Sequence, residues 1–344
     1  MAINLAESIR GLGHEVILWS PHPLEKTRWW RALQQMRSKA DAFIASQKPF
    51  DVIDCPATLI TRKICRSASV VARSTQPSLL YLVNQLASDT RKNMSVVRLP
   101  FNYAYTFFHS YLILQGWRRA DSILCLGSKE LQWMRKWFPW WRNKLTSYLN
   151  ALSVSDQAAL ATVRRQRNSH ESEAIRFLWI GRWTGHKGTD ILLEFINDWS
   201  KHRPQDSFTI AGCGAEAEKD CSSEFLRSGR LKIIPSFTRE ELYSLLAGHD
   251  AGLFTSEVEG WGLSLNEMLE SGLQVFATPA GATIDLQPFF VNRLKQFPPA
   301  PNQLCHCSIN DDAMKNYYET FTWASIASKY IDSVCAVKRL KAKP

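Results

Sequence analysis

The chain has 344 residues, 45% apolar and 22% charged, which at roughly 150 residues per domain fits two domains with ordinary cores and excludes a fibrous or disordered chain. The formal charge of +10 is uneven, +12 over residues 1–150 and −2 over residues 151–344. An anionic partner for the first half follows, either a membrane surface or nucleic acid.

In chain order, Ile3, Ala6, Ile9 and Leu12 have helical spacing, and Gly11 and Gly13 end that helix. Val16-Ile17-Leu18-Trp19 reads as a short buried strand, residues 25–46 as a polar helix, and 51–54, 69–72 and 122–126 as further strands. Residues 99–117 carry no formal charge and could just reach across a bilayer. Asn102, Thr106, His109, Ser110 and Gln115 are costly in hydrocarbon, however, so a largely buried soluble helix is expected there. Residues 153–173 are polar, aperiodic and arginine-bearing, and read as a linker.

The alternation then restarts, with strands at 175–180, 208–211, 231–234, 251–254 and 274–277 and helices at 188–202, 238–248 and 263–272. A last helix is read near 323–339, after a poorly patterned stretch at 286–320. Short apolar strands alternating with helices indicate parallel sheets with helices packed on them. The expected division is a first Rossmann-like domain at 1–152, the linker, a second at 174–320, and a closing helix at 321–340. The chain opens on a helix where a doubly wound domain calls for a strand and a glycine-rich turn.

No cysteine pair has C-x-x-C spacing, and Cys305-His306-Cys307 is too tight for a tetrahedral metal site. No metal is expected, and buried free thiols imply a reducing, cytoplasmic compartment. Met1-Ala2-Ile3-Asn4 lacks the basic start of a signal peptide.

Three segments carry chemistry, each between a strand and the next element. Gly181-Arg182-Trp183-Thr184-Gly185-His186-Lys187-Gly188 leads from strand to helix, where ligands meet carboxyl ends of strands and amino ends of helices. Arg182 offers a planar fork and Lys187 a mobile point charge, both suited to a diphosphate. The segment lacks the Walker spacing. Ala211-Gly212-Cys213-Gly214 is a lone G-x-G turn. In Glu257 to Glu267, Gly260, Trp261, Gly262 and Leu263 open a helix whose backbone N–H groups suit phosphate or sugar oxygens. Glu259 stands before that helix and Glu267 one turn inside, placed to accept hydrogen bonds from hydroxyls. The Glu259–Glu267 spacing alone recurs by chance in roughly every other chain of this length, so its weight comes from the loop, the helix start and the two cations upstream.

Residues Ile175 to Asp285 resemble the donor-binding half of the retaining glycosyltransferases of family 4, the group with a Glu-x7-Glu motif on a GT-B fold. The resemblance rests on Gly181-Arg182, Lys187-Gly188, Ala211-Gly212-x-Gly214, Glu241-Leu242-Tyr243, Asp250, the Glu259–Glu267 block and Thr278-x-x-Gly281. Trp323, Ile326-Ala327 and Tyr330 resemble the closing helix of that family, and Leu5-Ala6 with Gly13-His14-Glu15-Val16 its first domain more loosely. The resemblance implies two doubly wound Rossmann-like domains facing a cleft. It implies transfer of a hexose from a nucleotide diphosphate sugar to a glycan or lipid-linked acceptor, with retention and without a metal. Arg182 and Lys187 would hold the diphosphate, Glu259 the sugar hydroxyls and Glu267 the ribose. Gly181, Gly212 and residues 260–263 would lie around the donor. It also implies a strand preceding Met1, a histidine after the strand at 69–72 where Arg73-Ser74-Thr75-Gln76 stands, and an Asn-Gly where Asn150-Ala151 stands. These departures carry an alternative: a nucleotide-sugar-binding relative that no longer transfers and acts as a binding or regulatory partner.

Arg28-Trp29-Trp30-Arg31 and Trp133 to Arg142 interleave cations with large aromatics. That composition suits the surface of an anionic bilayer. Single-stranded nucleic acid uses the same ingredients, but nothing else in the sequence supports it, and no nucleic-acid partner is expected.

Overall fold

The computed structural model describes residues 1–22, 24, 27–91, 99–167, 173–300, 303 and 311–341. Cys305, His306 and Cys307 lie outside the described residues. The chain divides into two units, Met1–Asn150 with Trp323–Pro344, and Ala151–Thr322.

In the first unit, strands β1 (Val52–Cys55), β2 (Ser69–Arg73), β3 (Ser122–Leu126) and β4 (Leu145–Tyr148) form a parallel sheet in sequential order. The helices are α1 (Ala2–Gly11), α2 (Trp29–Ser46), α3 (Ile64–Ser67), α4 (Ser78–Arg91), α5 (Leu99–Arg119), α6 (Gly127–Trp137) and, from the end of the chain, α15 (Trp323–Lys341). Strand side chains alternate between faces. Val70, Ala72, Ile123 and Cys125 enter a core with Ile113 of α5 and Met134 of α6. The opposite face carries Val71 and Leu124, and α15 packs against β2, β4 and α1. Buried Ile326, Ala327 and Tyr330 form its inner stripe. The last helix of the chain thus completes the first unit.

Two expectations in this unit are corrected. Residues 16–19 are not a strand: a four-residue apolar run needs a ladder partner, and it makes none among the described residues. Trp19 instead stacks on Phe43 of α2, with ring centroids 5.1 Å apart. Helix α5 is not largely buried. Leu112, Ile113 and Trp117 near its end are in the core, but Phe101 and Phe107 are 74% and 77% exposed. No helix among the described residues is long and apolar enough to cross a membrane.

In the second unit, β5 (Arg176–Ile180), β6 (Ser207–Ala211), β7 (Leu231–Ile234), β8 (Ala251–Phe254), β9 (Gln274–Ala277) and β10 (Leu294–Gln296) form one parallel sheet in the order β10-β9-β8-β5-β6-β7. The helices are α7 (Val154–Gln166), α8 (Thr189–His202), α9 (Ala217–Asp220), α10 (Ser223–Arg227), α11 (Arg239–Ala247), α12 (Leu263–Glu270), α13 (Thr283–Leu286) and α14 (Asp311–Thr320). Strand β5, first in sequence, pairs with β6 on one side and β8 on the other. The strand order reverses there, which opens a crevice at the carboxyl ends of β5 and β8.

The expected linker is also corrected over 154–166, where α7 forms. Ser153 is its N-cap, its hydroxyl accepting from Asp156 N at 3.1 Å, and Leu160 and Val163 are buried. Two of the segment's arginines cap other helices, while Arg165 bonds Thr162 of α7 itself. Arg164 donates to Glu270 O at 2.6 Å, and Arg167 to Leu246 O and His249 O at 2.6 and 2.7 Å, at the ends of α12 and α11.

Candidate functional site

Two loops meet at the crevice. After β5 the chain runs through Gly181 and Arg182 into a single 3₁₀ turn, Gly185–Lys187, and then α8. After β8 it runs through Thr255 to Gly262 into α12. Thr255 holds the loops together, accepting from Trp179 Nε1 at 2.9 Å and donating to Lys187 O at 2.8 Å. His186 O accepts from Glu257 N at 2.9 Å.

Gly188 makes the approach possible. It sits at φ +67°, and a Cβ there would lie 1.9 Å from Thr255 O. Gly262, the N-cap of α12, is at φ +84°, and a Cβ would lie 2.7 Å from the Phe254 ring. Both positions combine a left-handed backbone with a contact only hydrogen allows.

The structure brings Lys187 and Glu259 together as an ion pair, with side chains 14% and 17% exposed. Ser256 Oγ donates to Glu259 Oε2 at 3.3 Å and Gly260 N to Oε1 at 3.3 Å. The Gly260 amide is therefore taken up by Glu259, and the helix start offers the later amides of 261–263. Arg182 is exposed, and burial, reinforced by Lys187 and Arg182, lowers the pKa of His186. Gly181 N donates to Ala211 O at 3.0 Å, tying the ends of β5 and β6 together beside Gly212, itself at φ +73°. Leu263 is exposed at the first position of α12, and Trp261 is buried behind it.

Glu267 is 6% exposed and receives Arg239 Nη1 at 2.5 Å. Arg239 Nε donates to Asp156 Oδ1 at 2.7 Å, Tyr243 OH to the same oxygen at 2.7 Å, and Ser153 Oγ to Oδ2 at 2.7 Å. Burial raises the pKa of Glu267, and Arg239 opposes it. For Asp156 burial also acts upward, but the bonds from Arg239, Ser153 and Tyr243 outweigh it and hold the carboxyl at about 2.

Behind the loop runs a buried relay. Trp261 Nε1 donates to Asn266 Oδ1 at 2.7 Å, Asn266 Nδ2 to Tyr317 OH at 2.7 Å, and Tyr317 OH to Glu270 Oε1 at 2.5 Å. Sequence reasoning missed Asp156, Arg239, Asn266, Glu270 and Tyr317. Asp156 lay in the expected linker and Tyr317 in the stretch without pattern, and Arg239 is 28 residues from its partner in the chain. Glu267, Trp261 and, in the block that starts at Glu241, Tyr243 had been marked.

Residues 162–286 match the family model described as glycosyl transferases group 1. No curated protein matches the chain. Among solved structures it is similar to sucrose-phosphate synthase from Thermosynechococcus elongatus, at 17% identity and TM-score 0.62, covering 98% of this chain and 88% of that one. The catalytic domain of starch synthase IV from Arabidopsis thaliana, bound to ADP and acarbose, follows at 14% identity and TM-score 0.59, covering 90% and 77%. WaaG, a glycosyltransferase involved in lipopolysaccharide biosynthesis, is similar at 14% identity and TM-score 0.58, covering 99% and 95%. At these identities the likeness is one of fold. Two parallel α/β sheets, matched over nearly the whole chain, give this protein the GT-B fold, and its residues 162–286 are similar to the group 1 glycosyl transferase domain.

Proposed function

We propose that the chain is a glycosyltransferase that moves a hexose from a nucleotide diphosphate sugar to a glycan or lipid-linked acceptor, with retention of configuration. One observation carries this reading: Arg182, the Lys187–Glu259 pair, the first turn of α12 and Glu267 gather at the reversal of strand order in a GT-B unit. Arg182 and Lys187 meet the diphosphate and stabilise it as it leaves, together with the first-turn amides of α12. Glu259 fixes the Lys187 ammonium and faces the sugar hydroxyls, and Glu267 accepts from the ribose. Each glutamate is already paired with a cation, which argues against a glycosidase-like acid and nucleophile. Transfer on one face of the sugar, with the leaving diphosphate as the chief charged group, needs neither a protein nucleophile nor a metal.

The peripheral partner in this reading is an anionic membrane surface, and the compartment is the cytoplasm. Support comes from the +12 charge of residues 1–150, the exposed aromatics of α5, and Cys55, Cys125, Cys213, Cys221 and Cys335, none of which is in a disulfide among the described residues.

A second reading, a donor-binding relative without turnover, draws on Arg73. Arg73 opens the stretch Arg73-Ser74-Thr75-Gln76, in which the resemblance calls for a histidine; it is held by Asp54 at 3.1 Å, and Asp54 also accepts from Tyr330 at 2.7 Å.

Thermal shift with UDP-, GDP- and ADP-glucose tests the donor site. A ligand at about 100 times its dissociation constant adds ~2.7 kcal/mol, a shift of several degrees. The expected result is a shift with one nucleotide, lost in Arg182→Ala and Glu267→Ala. Release of nucleoside diphosphate, undiminished by EDTA, then separates the transferase from the binding relative. No shift with any donor overturns both readings.

A further inference from the structure

We propose that Arg239 is a positioning residue for the donor nucleotide: clamped by Asp156, it keeps the buried Glu267 carboxylate ionised and fixed, with one oxygen turned to the ribose diol. The proposal rests on the donor-site reading of Glu267 and adds to it a residue that no motif marks.

The geometry is specific. Arg239 is the first residue of α11, and the capping box of Thr238 and Glu241 fixes where its side chain leaves the helix. Its guanidinium spans two carboxylates, Nε to Asp156 at 2.7 Å and Nη1 to Glu267 at 2.5 Å. The planar fork is thereby locked from the side away from Glu267, and Tyr243 and Ser153 lock Asp156 in turn. Glu267 Oε1 is committed to Arg239, which leaves Oε2 as the acceptor for a ligand hydroxyl.

A carboxylate this buried needs the cation. Strands β8 and β9, which pack on α12, carry no titratable side chain. Helix α7 brings Asp156, a second negative charge, while its Arg164 reaches the far end of α12 at Glu270 O. Arg239 is therefore the cation that favours the charged form of Glu267. Without it, burial and Asp156 both act toward the protonated acid.

The test is calorimetric titration of UDP, GDP and ADP into the full chain from about pH 6 to about pH 8.5, reading the ratio of variant to wild-type dissociation constants. For Arg239→Gln the ratio is expected to rise as pH falls across this range, by at most tenfold per unit, as one-proton linkage requires. Arg239→Lys keeps the charge and should flatten the profile. Asp156→Asn withdraws the clamp and should weaken binding several-fold at every pH, with folding confirmed by circular dichroism. A pH-independent ratio for Arg239→Gln, or tighter binding, overturns the proposal, the latter because Arg239 would then compete with the diol. If Arg239→Gln does not fold, unchanged affinity in Asp156→Asn overturns it instead. Glu267→Gln is the control for the underlying reading: wild-type affinity there removes the ribose role of Glu267, whatever Arg239 does.

Discussion

Ser74 Oγ lies 2.6 Å from the Gln76 carbonyl and 2.7 Å from Glu130 Oε1, and one hydroxyl proton cannot serve both acceptors. The conflict disappears if Glu130 keeps its own proton. Burial pushes its carboxyl up to about 7, against the hydrogen bonds of Ser74 and Leu126 N. Glu270 behaves alike in the second unit: burial raises it to about 7 although two tyrosine hydroxyls donate to it. Both native values lie above the unfolded value of 4.5. The stability each contributes is thus complete below about pH 4.5 and lost as pH rises through about 7. Glu130→Gln supplies an amide that donates to Ser74 and still accepts from Leu126 N. Urea unfolding at about pH 5 and about pH 8 should show the variant gaining up to about 3 kcal/mol over wild type at the higher pH, and little at the lower. A gain equal at both would place the effect elsewhere.

Helix α11 shows how an element delivers a site residue. Thr238 Oγ1 accepts from Glu241 N at 3.2 Å, and Glu241 Oε2 accepts from Thr238 N at 2.6 Å. Thr238→Ala should cost about 1 kcal/mol, seen as a drop of a few degrees in melting temperature. Because the frayed turn begins with Arg239, nucleotide affinity should fall with it; stability lost with affinity intact would separate the cap from the site. The helix was legible in the sequence over 238–248, while the box itself was not marked. Helix α5 was not legible in the same way. Its apolar residues follow no periodic stripe, so nothing local tells the core-facing end at Ile113 and Trp117 from the exposed end at Phe101 and Phe107, which carries most of its aromatics.

On the scale of the molecule, the charge of the first 150 residues finds its aromatic counterpart on α5 rather than in the tryptophan cluster as a whole. Trp141 stacks on Phe138 at 5.3 Å and lies edge-on to Trp117 at 6.0 Å, as a packed residue does, while Trp140 is exposed. The side chain of Trp29 lies outside the described residues. Between Arg91 and Ala120 the chain has no acidic residue. If this face meets an anionic bilayer, Phe101→Ser with Phe107→Ser and Trp140→Ser should abolish pelleting with phosphatidylglycerol vesicles. Raising the salt to about 0.5 M should weaken it in the wild type. Equal pelleting of variant and wild type would remove the membrane from the proposal.

The sequence by itself determined the α/β alternation and the GT-B resemblance, and it marked Arg182, Lys187, Glu259 and Glu267. Strand-to-helix turns, glycines and capping residues are local, and each of those four residues lies on such a turn or one helical turn beyond it. Only the tertiary structure decided what those side chains face. Lys187 meets Glu259 across 72 residues, Arg239 meets Glu267 across 28, and Arg164 reaches the end of α12 across 106. It likewise decided that Val16 to Trp19 forms no strand, because a strand exists only where a neighbour offers a ladder. A partner distant in sequence leaves no local trace, since the parallel order β10-β9-β8-β5-β6-β7 that joins the two loops is set by packing of the whole unit.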